Sequence, residues 1–437
     1  MKLSRRELLR RGGAGGLWLA SGAPAGGLVP VGLPELARAR SPLRKGVSMG
    51  GFGPLIVPDG HPNDYRLHGN REFLRDASGT RWIKLWVSWS HLQEELAPAS
   101  RGESWAHLNG APAGEAALGR LDRQIRAVNE DAAARPGGMG VIVTLYQDFP
   151  TWSSLPAPED PARAGKPLNA RLPTDLSPAG PWAWWVGHLC ARYRRGAPPN
   201  PVGPTEGPEG PTVGNPLGAW IDLLEIVNEP NYMLWPQAGL PARVAEMITT
   251  ACAVSAELAG PGVLAPATSD FPDHPHERLG ATDWLTFTAR LLDALEGYEP
   301  PVWLGWSAHN YLDVKDEVSR EASRARRTLG LLCLRGFPRR ALGPGARRLW
   351  LTEGGVDLFP AQGDDEARLT QARRIERSFL AMAEEPGVHL WTQHEINDVP
   401  TNDFKSGLRD DFVPPVAQGA VRPSWHAWAG LPGAPSP

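Results

Sequence analysis

Short apolar runs alternate along this chain with longer stretches whose apolar positions recur every three or four residues. The runs fall at 46–51, 82–89, 141–147, 223–228, 263–268, 302–308, 349–352 and 388–393. They are apolar on both faces, as expected of strands buried in a parallel sheet. The stretches between them predict helices over 116–134, 182–193, 243–258, 284–295, 317–332 and 367–383, with a last short helix over 425–431. In the first helix Leu118, Leu121, Ile125 and Val128 form one apolar stripe. Eight alternations of strand and helix predict an α/β fold, a closed (β/α)8 TIM barrel in preference to an open sheet. Pro- and Gly-rich stretches at 154–180 and 196–217 read as surface loops inserted into a single domain over 40–437.

The N-terminus departs from this alternation. Ser4-Arg5-Arg6-Glu7-Leu8-Leu9-Arg10 resembles a twin-arginine box, a Gly-, Ala- and Leu-rich stretch follows, and Ala37-Arg38-Ala39 offers a small-x-small cleavage site. Residues 1–39 are therefore expected to be a twin-arginine signal peptide, with the mature protein periplasmic or extracellular. No later window supplies the roughly 18 uninterrupted apolar residues of a membrane span.

Charge and composition narrow the partner. With 45 basic and 48 acidic residues the formal net charge is -3, too little to gather nucleic acid or anionic lipid. A neutral or small ligand is expected. Eighteen Trp stand against six Tyr, and indole faces both fill cores and stack on sugar rings. The three cysteines, Cys190, Cys252 and Cys333, fall in apolar helical stretches without C-x-x-C spacing and are expected to be buried free thiols, with one disulfide open to an exported chain.

Candidate chemistry sits where strands end. Leu223 to Val227 is followed by Asn228-Glu229-Pro230-Asn231, which puts polar side chains at the carboxyl rim where barrel enzymes keep their sites. Leu349-Trp350-Leu351-Thr352-Glu353-Gly354-Gly355 repeats the plan: strand, carboxylate, then glycines. By strand alternation Glu225 shares the inward face with Glu229 and needs a buried partner. Either glutamate alone would suit a rim salt bridge or a helix cap; the pair at two strand ends of one barrel suggests catalysis.

Asn-Glu-Pro ending a fourth strand and Thr-Glu-Gly ending a seventh are similar to the acid/base and nucleophile motifs of clan A glycoside hydrolases. The stretch 225–231 most resembles family 39 and its neighbours. The resemblance implies a retaining hydrolase of β-linked glycosides, with Glu229 as acid/base, Glu353 as nucleophile, a carbohydrate substrate and no cofactor. It further implies that Asn228 holds the sugar 2-hydroxyl. His309 and Tyr311 resemble the sixth-strand His-x-Tyr motif, whose Tyr hydroxyl contacts the nucleophile. Trp391 stands where an eighth-strand Trp floors the sugar site, and Trp152 ends a third-strand Pro-x-Trp loop; for both, core packing is the competing reading. One position departs. Where the family has Arg five residues before a Trp, Lys84 precedes Trp89. Lysine supplies charge without the bidentate fork, and either Glu225 or the nucleophile could be its partner.

Two other readings compete. Asp273, His274, His276 and Glu277 would serve a metal-dependent hydrolase, although His-x-His on a Pro-containing loop lacks a matching third motif. A non-catalytic carbohydrate-binding barrel would keep the aromatics and lose a carboxylate.

Overall fold

The computed structural model describes residues 43–50, 56–93, 112–134, 138–155, 172–196, 217–234, 238–270, 282–343, 345–359, 361, 363–400, 404–411 and 419–432. The signal-peptide region, the Asp273 to Glu277 cluster and most of the two Pro- and Gly-rich loops lie outside them.

Eight parallel strands close into a barrel in chain order. They are β1 (Arg44–Ser48), β2 (Trp82–Val87), β3 (Gly140–Leu145), β4 (Leu223–Glu225), β5 (Gly262–Thr268), β6 (Leu304–His309), β7 (Leu349–Gly354) and β8 (Val388–His394). β1 pairs with both β2 and β8, so no edge remains among the strands. A helix follows each strand: α1 (His68–Glu72), α2 (Pro112–Ala134), α3 (Pro181–Arg192), α4 (Leu240–Glu257), α5 (Trp284–Ala294), α6 (Arg324–Leu334), α7 (Asp365–Ala383) and α8 (Pro423–Gly430). The (β/α)8 barrel is as expected from the alternation. No described helix is long and apolar enough to cross a membrane.

Element boundaries moved where local chemistry decides them. The helix expected from 317 begins at Arg324, because Ser323 caps it by accepting the Arg326 backbone N–H at 3.1 Å. A single 3-10 turn, Arg320–Ala322, precedes it. α1 runs into a π-helical turn, Phe73–Ala77, in a stretch where no helix was expected. Cys190 and Cys252 are buried, and burial pushes both thiols up to about 12; Cys333 is exposed, contrary to expectation, because it lies on the outer face of α6.

The barrel interior is layered. Ile142, Leu223, Leu264, Trp350 and Leu390, with Trp82 and Trp303 against them, fill its lower end. Above this apolar plug Lys84, Thr144, Glu225 and Thr352 form a buried polar layer, each 1% exposed or less. The carboxyl rim lies above that.

Candidate active site

The polar layer is tied together by one ammonium. Lys84 Nζ lies 2.8 Å from Glu225 Oε2 and 2.8 Å from Glu353 Oε1, so it takes both partners that its sequence position left open. The same ammonium lies 4.4 Å from the Trp86 ring centroid, a cation–π contact. Glu225 accepts the Thr144 hydroxyl on Oε2 and the Thr352 hydroxyl on Oε1, each at 2.6 Å. Burial alone would push Glu225 up, but Lys84 and then His309 outweigh it and hold the carboxyl below its ordinary value. Burial likewise opposes the charge on Lys84, yet Glu225 and Glu353 raise it.

Glu353 reaches this layer through an irregularity of β7. Thr352 points inward to Glu225, so strict alternation would send Glu353 outward to the helices. The pairing of β7 with β8 shifts between Leu351 and Gly354, and that of β6 with β7 shifts between Ala308 and His309. A bulge of this kind lets two consecutive side chains, Thr352 and Glu353, enter the lumen. Gly354 follows because an added Cβ would collide with the terminal amide of Asn310. That amide lies between Trp391 Nε1, from which it accepts at 2.9 Å, and the Glu353 carbonyl, to which it donates at 3.0 Å. The Asn310 backbone N–H donates to the same carbonyl at 3.0 Å, fixing the backbone that carries the carboxylate.

Glu353 is surrounded by one ammonium, one hydroxyl and two imidazoles. Besides Lys84, the Tyr311 hydroxyl donates to Oε2 at 2.8 Å, His309 Nε2 lies 3.5 Å from Oε1, and His394 Nδ1 lies 3.8 Å from Oε2. Burial works against the charge, but His309, Lys84 and His394 together hold this carboxyl well below the ordinary carboxylate range.

Glu229 is presented differently. β4 stops at Glu225, and both Val227 (φ 47°) and Glu229 (φ 44°) occupy the left-handed region, which costs energy for any side chain and most for a β-branched one. Asn228 keeps one parallel bridge, to Ala267 of β5. The turn delivers Glu229 to the start of a short helix, Pro230–Met233, with its carboxylate Oε1 2.9 Å from His309 Nδ1. One imidazole therefore stands between the two carboxylates. Asn228 is 6% exposed, and its Oδ1 has no hydrogen-bond partner among the described residues.

Of the eight residues expected to act in catalysis or sugar binding, Asn228, Glu229, His309, Tyr311 and Glu353 gather at the carboxyl rim, with Lys84 directly beneath them. The tryptophans do not join them. Trp391 is fully buried, 5.3 Å from the Trp428 ring and 6.3 Å from Phe379, and its Nε1 lies 3.3 Å from Ser378 Oγ of α7. It alternates with the inward-facing His394 and so faces α7 and α8, and the expected sugar floor is not built by Trp391. Trp152 is partly buried and edge-on to Trp89 at 5.7 Å, in an aromatic cluster with Phe149, Trp182 and Trp185.

Several residues at the rim had not been singled out. His394 and Glu395 end β8 in the same way that Glu353 ends β7, with polar residues directly after an apolar run, and that signal could have found them. Asp148, beyond β3, accepts hydroxyls from Ser88 at 2.6 Å and Ser90 at 3.0 Å; burial raises it to about 6 despite them. Asp270, beyond β5, accepts the Leu312 N–H at 2.5 Å and is raised well above its ordinary value, first by burial. Among the described residues no group of three or more His, Cys, Asp or Glu is arranged to hold a metal ion.

No protein-family model matches the sequence, and no curated protein sequence matches it. Solved structures do match the fold. Fpglu1 from Fervidobacterium pennivoraus is 14% identical over 90% of this chain and 95% of its own, with a TM-score of 0.50. A hyperthermophilic beta-glucosidase mutant that forms a dodecamer in the crystal is 11% identical over 89% of this chain and 99% of its own, also at 0.50. Xylanase B from Clostridium stercorarium is 14% identical over 90% and 98%, at 0.48. At these identities the likeness is one of fold.

Proposed function

We propose that the protein is an exported retaining glycoside hydrolase that cleaves β-linked glycosides or polysaccharide by double displacement. The observation that carries this reading is a pair of buried carboxylates, beyond β4 and on β7, set on the two nitrogens of one imidazole. Glu353 lies against Lys84, Tyr311, His309 and His394 and is held ionised, and Glu229 lies on Nδ1 of the same His309 ring whose Nε2 faces Glu353. Glycoside cleavage needs two such groups: an acid to protonate the leaving oxygen and an ionised group to stabilise and trap the oxocarbenium-like centre.

In the first step Glu353 attacks the anomeric carbon while Glu229 gives its proton to the departing oxygen. In the second, Glu229 takes a proton from water, which displaces the Glu353 ester. A His309 with its proton on Nε2 would point that N–H at ionised Glu353 and accept from protonated Glu229 on Nδ1, the charge state the first step requires. The unpartnered Asn228 Oδ1 is a ready acceptor for the sugar 2-hydroxyl. The beta-glucosidase with the same fold acts on a substrate of this class. The twin-arginine box supports export.

Glu353→Ala should abolish nearly all turnover of aryl β-glycosides, and azide should restore part of it with the anomeric configuration inverted. Near-wild-type turnover by this variant would overturn the assignment. For export, replacing Arg5 and Arg6 together with Lys should leave the protein, with its precursor length, in the cytoplasm; unchanged export would reject the twin-arginine route.

A further inference from the structure

We propose that Glu395 and His394 act as a positioning pair for the nucleophile, a third carboxylate working on Glu353 through an imidazole. The inference rests on the glycosidase reading for its kinetic consequence but not for its geometry. His394 ends β8 with its side chain fully buried, its Nε2 3.2 Å from Glu395 Oε1 and its Nδ1 3.8 Å from Glu353 Oε2. Both carboxylates are buried too, at 1% and 2% exposure. The ring is held in place from its sides, with centroids 6.0 Å from Tyr311 and 5.9 Å from Phe404.

Glu395 is itself fixed at a cost. Its φ of 64° lies in the left-handed region, which a glutamate adopts only when its surroundings impose it. They do so here through Asn63, which donates to Glu395 Oε2 at 3.3 Å and to the Asn397 carbonyl at 2.9 Å, and accepts the Asn397 N–H at 2.8 Å. Loops from β1 and β8 thus clamp a buried carboxylate against the histidine that faces the nucleophile.

Proton counting sets the role. A neutral imidazole has one N–H and would turn a lone pair toward one of the two carboxylates, whereas a ring protonated on both nitrogens serves both. Neither the 3.8 Å contact with Glu353 nor the 3.2 Å contact with Glu395 has hydrogen-bond geometry, so the ring couples to both carboxylates electrostatically. The ring faces Glu353 at the oxygen opposite the one Lys84 holds, and its charged form would place positive charge there. The charge field around the pair comprises Glu353 with Lys84, His309 and Tyr311 on one side, and Glu395 on the other. His61 and the Asp398 carboxylate, itself paired with Arg422, face Glu395. Cationic support matters most when Glu353 leaves as a carboxylate from the glycosyl ester, so its loss should weigh on the second chemical step. No proton moves through the pair in either step.

The test follows the Glu353 carboxyl carbon by NMR in full-length protein labelled with 13C-glutamate, its signal identified by its loss in Glu353→Gln. In Glu395→Gln the Glu353 titration midpoint should rise by about one pH unit, as it should in His394→Gln. Removing a nearby negative charge would by itself move that midpoint down, so a fall or no change in Glu395→Gln overturns the pair. With aryl glycosides carrying good leaving groups, kcat of Glu395→Gln should fall about ten-fold while kcat/KM changes little, and Glu395→Asp should recover part of the loss. Were Glu395→Gln not to fold, Glu395→Asp carries the same test with a smaller rise expected. A raised midpoint in a protein that turns over no glycoside upholds the pair and rejects the glycosidase reading; turnover with an unmoved midpoint does the reverse.

Discussion

Lys84 Nζ lies 2.8 Å from Glu225 Oε2 inside the barrel, where neither side chain is exposed. A buried ion pair adds little net stability, but breaking one side of it costs about 3–5 kcal/mol, because a charge is left without partner or water. Lys84→Met strands two carboxylates, Glu225 and Glu353, and should lower unfolding free energy by an amount in that range at pH 7, measured by urea titration. Both carboxyls are depressed in the folded protein, so their contribution is present above the ordinary carboxylate range and lost as pH falls through their folded values. The gap between variant and wild type should therefore be widest near neutral pH and narrow as pH falls below the ordinary value of 4.5. A pH-independent gap would mean that Lys84 contributes by packing.

Tyr311→Phe deletes one hydrogen bond to an ionised group, the 2.8 Å contact with Glu353 Oε2, and leaves the ring in place. Hydrogen bonds to charges contribute roughly 1.5–3 kcal/mol, so kcat/KM should fall about ten- to hundred-fold with little change in melting temperature. An equal loss of stability would reassign the tyrosine to structure.

Glu229→Ala should separate substrates by leaving group. General acid catalysis contributes about 10²–10⁴-fold, and that loss should appear for alkyl glycosides while activated aryl glycosides keep fast glycosylation. Equal losses on both would count against the acid role of Glu229.

Asp148 gives a prediction on stability alone. Burial raises it to about 6, above its ordinary 3.8, so it favours the folded state when protonated and opposes it once ionised. The penalty sets in as pH rises through about 4 to 6 and reaches about 3 kcal/mol above that window. Asp148→Asn, which can still accept a serine hydroxyl, should be more stable than wild type at pH 8 and no more stable at pH 4. Greater stability of the variant at both pH values would show that ionisation is not the cause.

Much of this was legible in the sequence, for identifiable reasons. A strand buried on both faces cannot avoid an apolar run, and eight such runs separated by helical stripes leave few architectures open. Polar residues that interrupt a run mark its rim, which is why Asn228, Glu229 and Glu353 could be named; His309 and Tyr311 were named from their resemblance to a sixth-strand His-x-Tyr motif. The faces of the strand ends were less legible. Alternation would pair Thr352 with the lumen and exclude Glu353, or the reverse, and nothing in the residue letters announces the bulge that admits both. The same uncertainty of face misassigned Trp391, which stands three positions before the lumen-facing His394 and so on the opposite face of β8. Backbone conformation was invisible as well: Val227, Glu229 and Glu395 adopt left-handed φ values that their residue types argue against. The partner of Lys84 could not be chosen in advance because both choices were correct.

The bulge of β7 also sets a limit on protein design. Grafting the two carboxylates, the lysine and the Glu225 brace onto an idealised barrel with uniform strands would force a choice, since a regular strand turns only alternate residues inward. Keeping Thr352 would preserve the hydroxyl on Glu225 and send the nucleophile into the helical shell. Keeping Glu353 would leave the brace short of a donor. A scaffold that is to receive this chemistry must have the irregular strand built in first.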